Sequence, residues 1–232
     1  MNVVLLSSII TGILAIVAVI ITTLNQNRIN KINQTLELKK KHQYYLEPLT
    51  RASADLQSRL YNILKLGFIE KFYQCGSERN KKYVISNTAF LFAQFFAWTE
   101  AARVGVQFIN LDNDKQTRDL SRLQGKIYSI IQSDNITDRF MFFAGEQRAI
   151  GERMLIQTAD AYTCIGYGEF IKRDLLNTDE FFLELKNEVT NMAINRDGCQ
   201  ARFLKLQHAL IDLLDYLDPA HVRISTDERS KI

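Results

Sequence analysis

Residues 3–24 read VVLLSSIITGILAIVAVIITTL, and no charged residue interrupts them. As a helix rising about 1.5 Å per residue, this run is about 33 Å long, against about 30 Å for a bilayer's hydrocarbon core. A membrane-spanning helix satisfies every backbone group internally while its apolar side chains face lipid. The serines and threonines in the run are tolerated because their hydroxyls bond back to the helix's own carbonyls. A cleaved signal peptide has a basic start, a shorter apolar core and a small-residue cleavage site. Here nothing basic precedes the run, and it ends in Ile-Ile-Thr-Thr-Leu. Residues 1–24 are therefore expected to be a permanent anchor in the lipid bilayer.

Flanking charge predicts the orientation. Only Met1 and Asn2 precede the run, whereas Arg28, Lys31, Lys39, Lys40, Lys41 and Arg51 follow it, with Glu37 and Glu47 the sole acids among them. Positive residues stay on the cytoplasmic side. The expected topology is single-pass in the cell membrane, with the N-terminus outside and the C-terminal domain cytoplasmic. In that topology the glycosylation-like triplets at Asn33-Gln-Thr and Asn135-Ile-Thr carry no meaning.

Residues 25–42 are largely polar, and Ile29, Ile32 and Leu36 at spacings of three and four make one helical stripe. Residues 25–44 are expected to be a helical stalk. Its stripe either seams copies of the chain together as a short coiled coil or lies on the headgroups, where Lys39 to Lys41 would attract anionic lipid.

The rest is long enough for one domain with a real core. The whole chain has only 10 Gly and 2 Pro, too few for many tight turns, so long helices are favoured over short strands. The expected fold class is all-α: an anchor helix and stalk, then an antiparallel bundle of about six or seven helices over 45–219, and a flexible tail over 220–232. Pro48 is placed near the start of a helix carrying Leu49, Ala52, Leu56, Leu60, Ile63 and Leu64, with Gly67 to end it. Arg51, Asp55 and Arg59 form a charge ladder on that helix. Residues 75–82 read as a polar loop. Residues 83–110 are apolar on nearly every side, including Phe90, Leu91, Phe92, Phe95, Phe96, Trp98, Val104, Val106 and Phe108. Gln94, Glu100 and Arg103 exclude a second span and make this the central helix of the bundle. Loops at 111–116 and 133–139 flank a helix over 117–132, and residues 140–143 form an apolar plug. A helix opens at Gly145 and runs to 158. Gly166 and Gly168 break 159–176 into short pieces. Asn177, Thr178 and Asp179 cap a helix to Ile194, and a last helix over 198–217 stops at Asp218-Pro219.

Charged residues set among apolar ones are the most informative feature of the domain. They are Arg51, Asp55 and Arg59, then Glu100 and Arg103, then Glu146, Arg148, Glu152 and Arg153, then Asp212 and Asp215. A charge taken into a core must find a partner or cost several kcal/mol. Arg–carboxylate pairs between helices are expected, with Glu100, Glu152, Arg59 and Arg103 as members. They either fix helix register or line a ligand pocket in which Glu152 or Glu100 does acid–base work.

No catalytic residue, cofactor or metal is expected. His42, His208 and His221 share no HxxxH or ExxH spacing. Cys75, Cys164 and Cys199 form no CxxC pair and read as reduced thiols. GxSxG, GxxxxGK[ST] and GxGxxG are all missing. A net charge of +3 is too small to argue for nucleic acid. The basic and aromatic residues from Lys71 to Tyr83 read as a solvated loop, and the aromatic run 90–98 as core packing rather than a haem or lipid cavity.

Three segments resemble an uncharacterised bacterial family of single-span, membrane-anchored helical proteins: LTRASADLQSRLYN at 49–62, EQRAIGE at 146–152 and LIDLLDYLD at 210–218. That resemblance implies an architecture and no assigned activity. It marks Arg59, Glu146, Arg148 and Glu152 as members of its hallmark segments. Three functions follow as expectations. The first is a non-enzymatic scaffold, a homo-oligomer through span and stalk that presents its bundle to a protein partner. The second is a tethered enzyme or small-ligand sensor using the Glu/Arg cluster. The third is an oligomeric membrane effector whose spans meet at Ser7, Ser8, Thr11 and Gly12.

Overall fold

The computed structural model describes residues 3–107, 114–135, 139–158 and 161–232. Phe108, residues 111–113 and residues 136–138 of the expected loops lie outside them, as do the side chains of Ser7, Ser8, Lys39 to Lys41 and Val106. The fold is all-α, with one small hairpin. Helix α1 (Val3–Lys65) is followed by α2 (Glu78–Gln107), α3 (Asp114–Gln132), α4 (Ala144–Met154), strands β1 (Leu155–Gln157) and β2 (Tyr162–Cys164), α5 (Tyr167–Lys172), α6 (Leu175–Thr178), α7 (Glu180–Ile194) and α8 (Gln200–Leu217). Contacts divide the chain between Gln43 and Tyr44.

In the first unit, the helical segment Ile10–Gln34 is long and apolar enough to cross a membrane, and none of it is buried by protein. Thr22 and Thr23 donate to the carbonyls of Ala18 and Val19, each at 2.8 Å, as their place in an apolar helix requires. Pro48 does not start a helix; it lies inside α1. It cannot donate to the carbonyl of Tyr44, so α1 lacks one rung at the place where the contacts divide. Gly67 ends the run with φ +64°, a left-handed conformation that costs glycine little.

The second unit is a packed helical bundle. Helix α2 is its centre, and Ala89, Phe92, Ala93, Phe96, Ala97 and Ala101 on it are fully buried. Helix α4 crosses it closely because Gly151 has no side chain; a Cβ there would sit 2.7 Å from the Phe96 carbonyl oxygen. Phe140 and Phe142 are the buried plug, while Phe143 is exposed. Phe140 packs against Phe92 and Phe203 with ring centroids 4.5 and 4.8 Å apart. Its backbone is left-handed, φ 55°, a strain that burial of the ring offsets.

Four expectations are corrected. Residues 78–82 are helical, so the loop before α2 is shorter than 75–82. The helix from Gly145 does not reach 158: it stops at Met154 and turns into an antiparallel hairpin that pairs Leu155 with Cys164 and Gln157 with Tyr162. Ile156, Tyr162 and Thr163 are β-branched or aromatic, which a half-covered strand favours. The charge ladder forms one turn earlier than expected, between Glu47 and Arg51 at 3.4 Å. The tail after Asp218 is docked. Asp218 accepts the N–H groups of Val222, Arg223 and Ile224 at 3.0 to 3.1 Å, and Arg229 is buried against it at 2.7 Å. Buried Gln207 donates to the carbonyl of Ser230 at 2.9 Å. A short polar tail gains order because every one of these groups finds a buried partner.

Candidate functional site

Glu100 and Arg103 lie one turn apart toward the C-terminal end of α2, so their side chains meet on one face. Glu100 is 2% exposed. Arg103 grips both of its oxygens, with Nε at 2.8 Å and Nη2 closer still. This two-point contact is the strong form of a charge-assisted hydrogen bond. It raises the Arg103 pKa, against an opposing effect of partial burial, and the charges of Glu100, Tyr128 and Glu152 add to the rise.

Glu152, on α4, completes an open cavity of about 400 Å³ with Glu100, Arg103, Val104, Leu155, Gln157 and Tyr162. The unexpected hairpin supplies one wall. Tyr128 of α3 stands close by. Burial pushes its phenol up to about 12, the Glu100 charge adds to this, and Arg148 and Arg103 oppose it. Its hydroxyl is buried without a hydrogen-bond partner.

Three of the six sequence candidates thus share one cavity: Glu100, Arg103 and Glu152. Arg148 is exposed and acts on Tyr128 through its charge. The other two lie elsewhere. Glu146 caps α4, accepting the Phe143 N–H at 2.7 Å, and lines a different cavity with Glu180 and Glu184. Arg59 is buried, but its partners are not carboxylates. It donates to Asn87 Oδ1 at 2.6 Å, and its guanidinium lies 4.1 Å from the Phe68 ring centroid and 5.8 Å from that of Tyr83. Burial lowers its pKa, an effect that Tyr83 partly opposes.

The expected pairing between helices exists through other residues. Lys126 of α3 meets Asp212 of α8 at 2.7 Å, Arg196 meets Glu70 at 2.9 Å, and Arg153 of α4 meets Asp179 at the start of α7. Arg202 was not among the sequence candidates. It is fully buried and donates to the carbonyls of Ile131, Ser133 and Arg139 at 2.8 to 3.0 Å, and to that of Ile130. It therefore ties down the C-terminal carbonyls of α3, which have no intrahelical donors. The signal was present in the spacing: Arg202 lies four residues before Leu206 and seven before Ala209, on the apolar face of α8.

The chemistry open to the cavity follows from these partners. The Glu100 carboxylate is already held at both oxygens by Arg103 of its own helix. Glu152 is exposed and forms no ion pair within 4 Å among the described residues, so it is the acceptor a ligand would meet first. Among the described residues no three His, Cys, Asp or Glu side chains gather to hold a metal ion.

Fold and site together define the class, an all-α bundle that follows an N-terminal helix long and apolar enough to cross a membrane, the one such helix among the described residues. Comparison with family models, with curated proteins and with solved structures found no match to this chain, so the site is read from this molecule alone.

Proposed function

We propose that the chain is a non-enzymatic, membrane-anchored helical module that self-associates through its span and stalk and presents its bundle to a protein partner at the cytoplasmic face. The observation that carries this is the stalk. Ile29, Ile32 and Leu36 are 49%, 58% and 50% exposed on the same helix that bears the apolar segment and the first core ridge of the bundle. An apolar stripe at this spacing is covered when a second copy packs along it. The internal use of Glu100 by Arg103 supports a structural role for that pair. The resemblance of 49–62, 146–152 and 210–218 to bacterial membrane-anchored helical proteins fits the same reading, with 1–24 as anchor, 25–44 as stalk and 45–219 as bundle.

The test is the native mass of full-length protein in detergent, by light scattering corrected for bound detergent. Wild type is expected to be oligomeric, and a variant with Ile29, Ile32 and Leu36 all changed to Lys is expected to be monomeric. An unchanged mass in the variant refutes the stalk seam.

A second reading rests on the shared cavity of Glu100, Arg103 and Glu152: a small polar ligand held between the Arg103 guanidinium and the Glu152 carboxylate. It predicts a reproducible turnover or ligand-induced stabilisation that Glu152→Gln abolishes without unfolding the domain.

A further inference from the structure

A second cavity lies away from Glu100, where the start of α2 meets α5, α6 and α7. It measures about 430 Å³, within the range of about 300–1,000 Å³ typical of small-ligand sites. Its floor is apolar, with Ile85 from α2, Phe170 from α5, and Leu175 and Leu176 from α6, and Ile171 of α5 stands exposed at its mouth. Its polar lining includes three lysines, Lys81, Lys82 and Lys186, against two carboxylates, Glu78 and Asp174. The lining thus carries one net positive charge.

Of the two carboxylates, Glu78 holds Lys81 at 2.8 Å, whereas Asp174 accepts only the neutral side-chain amide of Asn177 at 2.6 Å. Lys82 and Lys186 have no carboxylate within 4 Å among the described residues. The acceptor for Lys186 is the neutral amide oxygen of Asn177 at 2.6 Å, so its charge stays uncompensated over the apolar floor. At the rim, Asp174 adopts φ 53°, a left-handed conformation that a non-glycine residue adopts only when its surroundings hold it there. Its carbonyl accepts the N–H groups of Asn177 and Thr178 at 3.0 and 3.2 Å, which fixes the turn that closes one side of the cleft.

We propose that this cleft binds a single-chain, monoanionic amphiphile of the fatty-carboxylate class. The hydrocarbon chain lies on the floor of Ile85, Phe170, Leu175 and Leu176, and the carboxylate pairs with Lys82 and Lys186. Charge complementarity decides the class. One anionic head neutralises the single net positive charge of the lining, a cationic amphiphile would add to it, and the apolar floor gives a fully polar anion nothing to cover.

The experiment uses the full-length chain in lipid nanodiscs and a diazirine-bearing decanoate as photoprobe, with labelled peptides mapped by mass spectrometry. Saturable labelling is expected in bundle peptides containing Ile85 or Ile171, displaced by decanoate and not by decyltrimethylammonium. Changing both Lys82 and Lys186 to Gln is expected to raise the half-saturating probe concentration about tenfold or more. Ile171→Trp, which fills the mouth from a partly exposed position, is expected to abolish labelling while the thermal melt stays unchanged. The proposal is overturned by labelling confined to residues 3–24, by equal displacement with the cation, or by labelling that survives the lysine changes. A two-chain phospholipid that displaces the probe as well as decanoate does would overturn the single-chain assignment.

Discussion

Arg202 shows what a single buried cation does in this bundle. With no solvent to receive it, the guanidinium spreads its donors over the carbonyls of Ile130, Ile131, Ser133 and Arg139. Removing it strands those acceptors, and each buried unsatisfied group costs about 1–3 kcal/mol. Arg202→Met is therefore expected to lower unfolding stability by about 3 kcal/mol or more, with the first loss of amide-exchange protection at the end of α3. Arg202→Lys should recover only part of this, because one ammonium cannot reach carbonyls spread over two chain segments. The thiols give a second residue-scale expectation. Burial pushes Cys164 and Cys199 up to about 12, whereas Cys75 is exposed. At neutral pH a maleimide should modify Cys75 alone in the folded protein, since the thiolate is the nucleophile. Modification of Cys199 without denaturant would contradict the packing described for it.

At the scale of elements, α4 lies close against the backbone of α2 at Gly151. A side chain there meets backbone, which cannot rotate away, so Gly151→Val is expected to force the helices apart and cost about 1–3 kcal/mol. Its readout is a lower denaturation midpoint. The docked tail yields a pH prediction. Burial would raise the Asp218 pKa, but the N–H groups of Ile224, Arg223 and Val222 and the charge of Arg229 outweigh it and hold the pKa below the ordinary aspartate value. A depressed carboxylate pKa contributes stability above its unfolded value, about 3.9, and that contribution is lost as pH falls through the folded value. Amide exchange at 222–224 should therefore accelerate on acidification below about pH 4, and Asp218→Asn should remove that step. The helices were legible in the sequence because their apolar residues recur at helical spacing. The hairpin at 155–164 was not, since three-residue strands are shorter than any period that could announce them. The tail was misjudged for a related reason: a polar segment reads as loose until its buried partners, here on α1 and α8, are known.

For the whole molecule, the decisive quantities are which side of the membrane the bundle occupies and how many copies assemble. The proposed topology, argued from the flanking positive charge, places the bundle on the cytoplasmic side. Exposed Cys75 reports on this directly. In intact cells a membrane-impermeant maleimide should leave it unmodified, and permeabilisation should expose it. Labelling in intact cells would invert the proposed topology. The stalk comparison described above tests assembly independently of that result. Both use the full chain, so neither depends on the bundle folding apart from its anchor.

By itself the sequence determined the long apolar N-terminal helix, the exposed stripe of Ile29, Ile32 and Leu36, the helical class and the central place of α2. Each of these is written in local hydrophobicity and its period, and burial of apolar surface acts on such patterns whatever the detailed topology. It also marked Glu100, Arg103 and Glu152 as charges needing partners. Only the tertiary structure decided who those partners are. Glu100 turned to its own helix, Arg59 to an amide and two aromatic faces, and Glu152 to the rim of a cavity walled by the hairpin. Helical spacing allows the local Glu100–Arg103 pair, but pairing between helices depends on distances of a few ångströms between residues far apart in the chain, and helical spacing carries no information at that range. The lysine-rimmed cleft likewise draws on α2, α5, α6 and α7, and no one segment of the sequence contains enough of it to announce a site.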